Sequence, residues 1–390
     1  MPTDHTTTIH QNPTSGLRVS PTRIVTLAKL LCGVAPLAIC APLKAQTTSY
    51  SSVVGFVKVT LNGTSGSAGS NFVGPGLLEK ELFRGSLVAQ APAANTLQAA
   101  AATWATNEFD TNATANSHFV EIVASTNPNA IGVFTDIVSH TADTLTTADN
   151  ISPLLQGGET IVIRRHKTVA SIFGAANEAG LGQGASSDSD TISVLTPGNS
   201  ASFSSYYYRS GGGLGGTGWR SIANPFVDES DRPLKIGEGL LIQRKQSAPL
   251  DVIIDGYVHE GPLRIPLKTG YNLVDPIAPI TDQSASVPTP GPKFTLGGLA
   301  SGSVIPSGLS TPLVSGSPTS ADVVSVFDGV QSFSSYYQRG TGLLGGTGWR
   351  SFGDPFFNTE NTVVPPLTSL LFEIRSGANT WVRPQPFNLP

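Results

Sequence analysis

Two clusters of aromatic and arginine side chains offer the most concentrated chemistry in this 390-residue chain. In the first, Tyr206, Tyr208 and Arg209 precede Trp219 and Arg220; in the second, Tyr336, Tyr337 and Arg339 precede Trp349 and Arg350. On a β-strand alternate residues share a face, so Tyr206 and Tyr208 point one way and Phe203, Ser205 and Tyr207 the other. Trp219, on a strand returning alongside, pairs across with one of those sets. Two chemistries fit. Rings on an open face with arginines at the rim form a platform for stacking on sugars, with Tyr206, Tyr208, Arg209, Trp219, Arg220, Tyr336, Arg339, Trp349 and Arg350 as ligand-binding residues. The same rings turned inward form a core, each keeping a polar edge for a hydrogen bond. Gln338 stands where the first cluster has Tyr208, which suggests that this position lies near solvent.

The clusters are copies of one another. Residues 203–221 return as residues 333–351 with fifteen of nineteen positions identical, at an offset of 130, so the chain carries two copies of one structural unit. The likeness continues into Asn224-Pro225-Phe226 against Asp354-Pro355-Phe356, and Leu240-Leu241-Ile242 against Leu370-Leu371-Phe372. Near the starts, Gly55-Phe56-Val57 and Asn71-Phe72-Val73 resemble Gly256-Tyr257-Val258 and Asn272-Leu273-Val274. These matches divide the chain into a first module over 46–255 and a second over 256–390. An inserted or elaborated β-rich segment occupies about 82–165 of the first.

Composition favours strands. The chain has 42 Gly, 29 Pro and 13% charged residues, against about a quarter charged in an ordinary globular domain. Short β-branched runs bounded by Asn, Gly and Pro recur at 53–61, 119–124, 132–138 and 159–164, as in an all-β sandwich or barrel. Ala-rich 97–105 reads instead as a short helix by propensity. Residues 180–190 and 281–322, rich in Gly, Ser, Pro and Thr, read as loops.

Residues 1–45 read as an export signal. Arg18, Arg23 and Lys29 precede an apolar stretch from Leu30 to Ala41, and Ala45-Gln46 is a suitable cleavage point. The apolar run is too short, and too interrupted by Pro36 and Pro42, to span a membrane comfortably. Its removal takes both cysteines, Cys32 and Cys40, so the mature chain has no disulfide and no thiol nucleophile. It also takes four basic residues and one acidic one from totals of 23 and 27. The acidic balance that remains argues against nucleic acid as a partner.

Gly211–Gly216 and Gly340–Gly345 formally match G-x-G-x-x-G. A dinucleotide site needs a helix after the glycines, whereas a strand pattern, Thr217-Gly218-Trp219-Arg220, follows here, so a wide hairpin loop is expected. Basic Arg164-Arg165-His166-Lys167 reads as the solvated end of a strand. Asp188-Ser-Asp190 and Asp228-Glu-Ser-Asp231 read as solvated loops without calcium-loop spacing. No G-x-S-x-G, H-E-x-x-H or P-loop pattern occurs, and the four mature histidines lack metal-ligand spacing. Neither cofactor nor metal is expected, and the repeated residues include no acid or base for catalysis.

The order Gly-(Phe/Tyr)-Val, Asn-(Phe/Leu)-Val-x-x-Pro, Tyr-Tyr-x-Arg, Gly-Trp-Arg, Leu-Leu resembles an uncharacterised family of exported, paralogous bacterial proteins, notably from Verrucomicrobia. The likeness covers most of 50–385, with longer Gly-rich turns here than in relatives. It implies secretion and a duplicated architecture but no activity. The expectation is therefore a non-enzymatic exported protein, periplasmic, on the cell surface or extracellular, with a structural or adhesive role. Its partners would be surface polysaccharide or other envelope proteins, and the mature chain would have no transmembrane span. The alternative is a pair of carbohydrate-binding modules.

Overall fold

The computed structural model describes residues 53–383, apart from 64–68, 89–93, 110–116, 212–215, 278–294, 297–312, 329–331, 342–345, 366 and 376. The expected export signal lies outside the described residues, as does most of the loop expected over 281–322.

The described chain is nearly all β. It opens with β1 (Val54–Leu61) and β2 (Gly69–Val73). Six strands follow: β3 (Glu81–Ser86), β4 (Thr96–Gln98), β5 (His118–Ala124), β6 (Phe134–His140), β7 (Thr144–Thr147) and β8 (Thr160–Arg165). Short β9 (Lys167–Thr168) leads into helix α1 (Val169–Phe173), then β10 (Thr191–Thr196), β11 (Ser202–Arg209), β12 (Gly218–Ser221), β13 (Pro233–Leu234), β14 (Leu240–Arg244) and β15 (Leu250–Tyr257). The last seven are β16 (Leu263–Leu267), β17 (Gly270–Val274), β18 (Val323–Phe327), β19 (Phe333–Arg339), β20 (Gly348–Ser351), β21 (Leu370–Ile374) and β22 (Asn379–Arg383).

Two five-stranded antiparallel sheets run in matching order, β12-β11-β10-β14-β2 and β20-β19-β18-β21-β17. Their registers match as well: Tyr208 lies opposite Trp219, and Gln338 opposite Trp349. Alternation turns one face of each sheet inward. Ile192, Val194, Tyr206, Tyr208, Trp219, Leu240 and Ile242 pack against Val57, Leu61, Val252 and Ile254 of the β1–β15 ladder and against α1. In the second half Val324, Val326, Trp349, Leu370 and Phe372 pack against Leu263, Ile265 and Trp381 of the β16–β22 ladder. Each half is thus a small sandwich of five strands over two.

The halves interlock. The end of β2 bridges Thr368 just before β21, and the end of β17 bridges Glu238 just before β14. At this crossing Asp275 accepts hydrogen bonds from the backbone N–H groups of Gly76 (2.9 Å) and Ile277 (2.8 Å). The corresponding position in the first half is Gly74, and a Cβ there would sit 2.1 Å from the Asp275 Oδ1. Only glycine permits that approach.

Strands β3 to β8 form a third sheet, β3-β8-β5-β6-β7-β4, around Val120, Ile122, Ile137, Leu145, Ile161 and Ile163. The short helix expected over 97–105 is absent. Leu97 lies on β4 opposite Leu145, while Ala99, Ala102 and Trp104 are buried in the same core. Tertiary burial outweighs alanine's helix propensity, which is worth less than about 1 kcal/mol per residue. Gly256 and Tyr257, aligned in sequence with Gly55 and Phe56, instead end β15. They lie opposite Gly55 and Val54 in one ladder, so the two segments are partners and not counterparts.

Candidate functional site

The repeated Tyr-Trp-Arg residues are brought together, but around the cores. Gly218 and Gly348 adopt φ of +135° and +109°, which releases the chain from the glycine turn and aims the next residue inward. Trp219 (0% exposed) meets Tyr208 edge-on, with ring centroids 5.3 Å apart, and donates its indole N–H to the Gly174 carbonyl at 2.8 Å. Trp349 is equally enclosed, and Tyr336 packs half-buried on the second core. Tyr208, which its exchange for Gln338 placed near solvent, is buried with Tyr206 in the first core; Gln338 is half-buried. The exchange reflects what covers each half, since Tyr208 leans on Trp219 beneath α1.

The arginines brace the turns. Arg220 donates to the carbonyls of Trp219 (2.7 Å) and Thr217 (3.1 Å), and Arg350 to those of Trp349 (2.8 Å) and Thr347 (2.9 Å). Arg209 reaches the Pro225 carbonyl at 3.3 Å, and Arg339 the Pro355 carbonyl at 2.6 Å. The loops so held carry exposed apolar residues at their tips: Phe226 and Val227 in the first half, Phe356 and Phe357 in the second. Asn224 and Asp354 accept the N–H of Phe226 and Phe356, and the Arg339 guanidinium lies 6.0 Å above the Phe356 ring. Apolar groups clustered and pinned in this way are unlike singly scattered surface hydrophobics.

A third feature was not legible in the sequence. Of the basic run expected at a solvated strand end, Arg164, His166 and Lys167 are buried, and only Arg165 is exposed. Arg164 pairs with Glu121 (3.0 Å) and Glu81 (2.7 Å), and Lys167 with Glu79 (3.1 Å). The Arg383 guanidinium donates to His259 Nδ1 (2.5 Å), leaving Nε2–H to donate to Glu121 (2.7 Å). Likewise His166 Nδ1 accepts the Ile236 N–H (3.3 Å), and Nε2–H donates to Asp136 (3.0 Å), which Lys235 also reaches at 2.5 Å. Burial alone would raise the pKa of Glu121 and Asp136. Their cationic and histidine partners outweigh it and hold both lowered. Burial does prevail at Arg383, lowered to about 10, and at Asp275, raised to about 6. Asp136, Lys235, Arg232 and Glu238 line a cleft of about 520 Å³ between the third sheet and the two halves.

Both histidines at this junction have each ring nitrogen engaged, so neither can take a proton from a nucleophile in this arrangement. Asp190, expected in a solvated loop, is buried. It accepts the N–H groups of Gly182 and Lys245, both at 2.7 Å, and pairs with Arg244. Asp228, by contrast, lies exposed beside Arg220. Among the described residues no group of three or more His, Cys, Asp or Glu could hold a metal ion. None of their helices is long and apolar enough to cross a membrane. No protein-family model matches the chain, and no curated protein or solved structure shows significant similarity to it.

Proposed function

We propose that the chain is a non-enzymatic exported protein of the envelope or extracellular space, with a structural or adhesive role. The observation that carries this reading is the pair of apolar loop tips, Phe226-Val227 and Phe356-Phe357, braced at the same place in both halves. A fold gains nothing from exposed phenylalanines, whose burial against a partner is worth about 1.5–3 kcal/mol each. The export-type segment at 1–45, the scarcity of charge and the family resemblance support the location. The two junction histidines, His166 and His259, are locked at both nitrogens, which favours a non-catalytic role there. Sugar binding by Tyr206, Trp219, Tyr336 and Trp349 draws no support from these rings, which are packed inside their own halves. The test is cell fractionation of the native chain beside a variant carrying Phe226→Ser, Phe356→Ser and Phe357→Ser. Recovery outside the inner membrane, with association lost in the variant, is the expected outcome.

A further inference from the structure

We propose that the outward face of the second five-stranded sheet binds a neutral oligosaccharide laid across its strands. This gives the adhesive reading a ligand, and rests on that reading only for the ligand's source in surface polysaccharide. The face is the reverse of the one that carries Trp349. Cross-strand register sets Tyr271 opposite Glu373, Glu373 opposite Val323, and Val323 opposite Tyr337. The next row holds Leu371, Ser325 and Ser335, and continues to Phe352, whose N–H donates to the Ser335 carbonyl at 3.0 Å.

Tyr271 and Phe352, each 46% exposed, stand at the two edges of a shallow concavity of about 620 Å³. Their backbone positions lie four interstrand steps apart, about 19 Å at the usual strand spacing, and the Phe352 ring leans back edge-on to Tyr337 at 5.4 Å. That span suits a short chain of sugars rather than a single one. Rings at the ends offer flat apolar surfaces to the C–H faces of pyranoses, and polar groups lie between them, the general make-up of a ligand site. The Ser325 and Ser335 hydroxyls are 2.8 Å apart. Arg375 forks onto Glu373 at 3.0 and 2.9 Å and is held from behind by the carbonyls of Pro318 and Ala321. The one cation and the one anion among the described lining residues already neutralise each other, so the face suits an uncharged ligand.

The first half supplies an internal control. Its sheet keeps the hydroxyl pair, Ser193 and Ser205, at 2.7 Å. It has Ser70 where the second has Tyr271, Ile222 for Phe352, Gln243 for Glu373 and Lys245 for Arg375. The same sheet therefore folds without these rings and without the ion pair. Their presence on one half alone points to a ligand.

Affinity electrophoresis of the purified mature chain, in native gels cast with hydroxyethylcellulose, xylan, galactomannan, dextran or laminarin, tests the proposal. Tyr271→Ser, Phe352→Ile and Glu373→Gln install residues that the first sheet already tolerates, so folding is retained and melting temperatures stay close to the parent's. Retardation by at least one polysaccharide is expected, with affinity weakened about tenfold or more by each ring substitution. Ile222→Ala should leave binding unchanged. Retardation in none of the gels, or retardation that survives Tyr271→Ser and Phe352→Ile, overturns the proposal. Either outcome leaves the export reading to its own fractionation test.

Discussion

Truncating Trp219 to alanine should unfold the first half long before it affects any ligand. The side chain is fully enclosed, edge-on to Tyr208 and 6.0 Å from the Phe173 ring, and its indole N–H satisfies the carbonyl that ends α1. Removing so large a buried aromatic costs about 3–5 kcal/mol in transfer and cavity terms. The stranded Gly174 carbonyl adds about 1 kcal/mol. Trp219→Phe keeps most of the apolar volume and should lose only about 1–2 kcal/mol. Trp349 is 2% exposed and without an acceptor at its indole N–H, so Trp349→Ala should cost about 3–5 kcal/mol with no carbonyl contribution. Urea unfolding followed by far-ultraviolet circular dichroism reads these differences without relying on the removed fluorophore. An alanine variant within about 0.5 kcal/mol of the parent, the range of ordinary surface substitutions, would refute the packing argument and restore the tryptophans as a platform.

The remaining expectations concern the charged groups. Asp275 has a folded pKa of about 6 against an ordinary 3.8, so the folded state binds the extra proton between those values. Its contribution to stability is therefore largest below pH 3.8 and is lost as pH rises through about 6, by on the order of 3 kcal/mol. In Asp275→Asn that slope should be absent, so the stability difference between parent and variant should shift by that amount across denaturation curves at pH 3.5–7. Glu121→Gln leaves Arg164 and Arg383 without their shared carboxylate and should cost about 3–5 kcal/mol, read as a lowered melting temperature of the full chain.

The hairpins were readable because short-range rules decide them. A strand with Trp219 returning beside the tyrosines, and glycines without a following helix, follow from strand alternation and from the type of residue after the turn, whereas the partner of Trp219, Tyr208, comes from the register alone. Which face turned inward was not readable. Both faces of β11 carry aromatics, and the choice depends on α1 and the β1–β15 ladder, whose strands lie far apart in the chain. The charged junction was hidden for the same reason. Arg164, His166 and Lys167 find their partners at Glu81, Glu121, Asp136 and Glu79, which only the fold brings close. Residues 97–105 misled because alanine's intrinsic preference is weaker than the burial of Leu97 and Trp104.

The central claim is that the repeated residues brace two apolar tips for contact outside the cell. The most direct measurement is the fraction of the chain that sediments with envelope or cell-surface material, for the parent and for the Phe226→Ser, Phe356→Ser, Phe357→Ser variant. The parent should sediment. The variant, whose exposed side chains contribute little to stability, should keep its melting temperature and stay in solution. A parent retained in the cytoplasm, or a variant that sediments as well as the parent, would contradict the account.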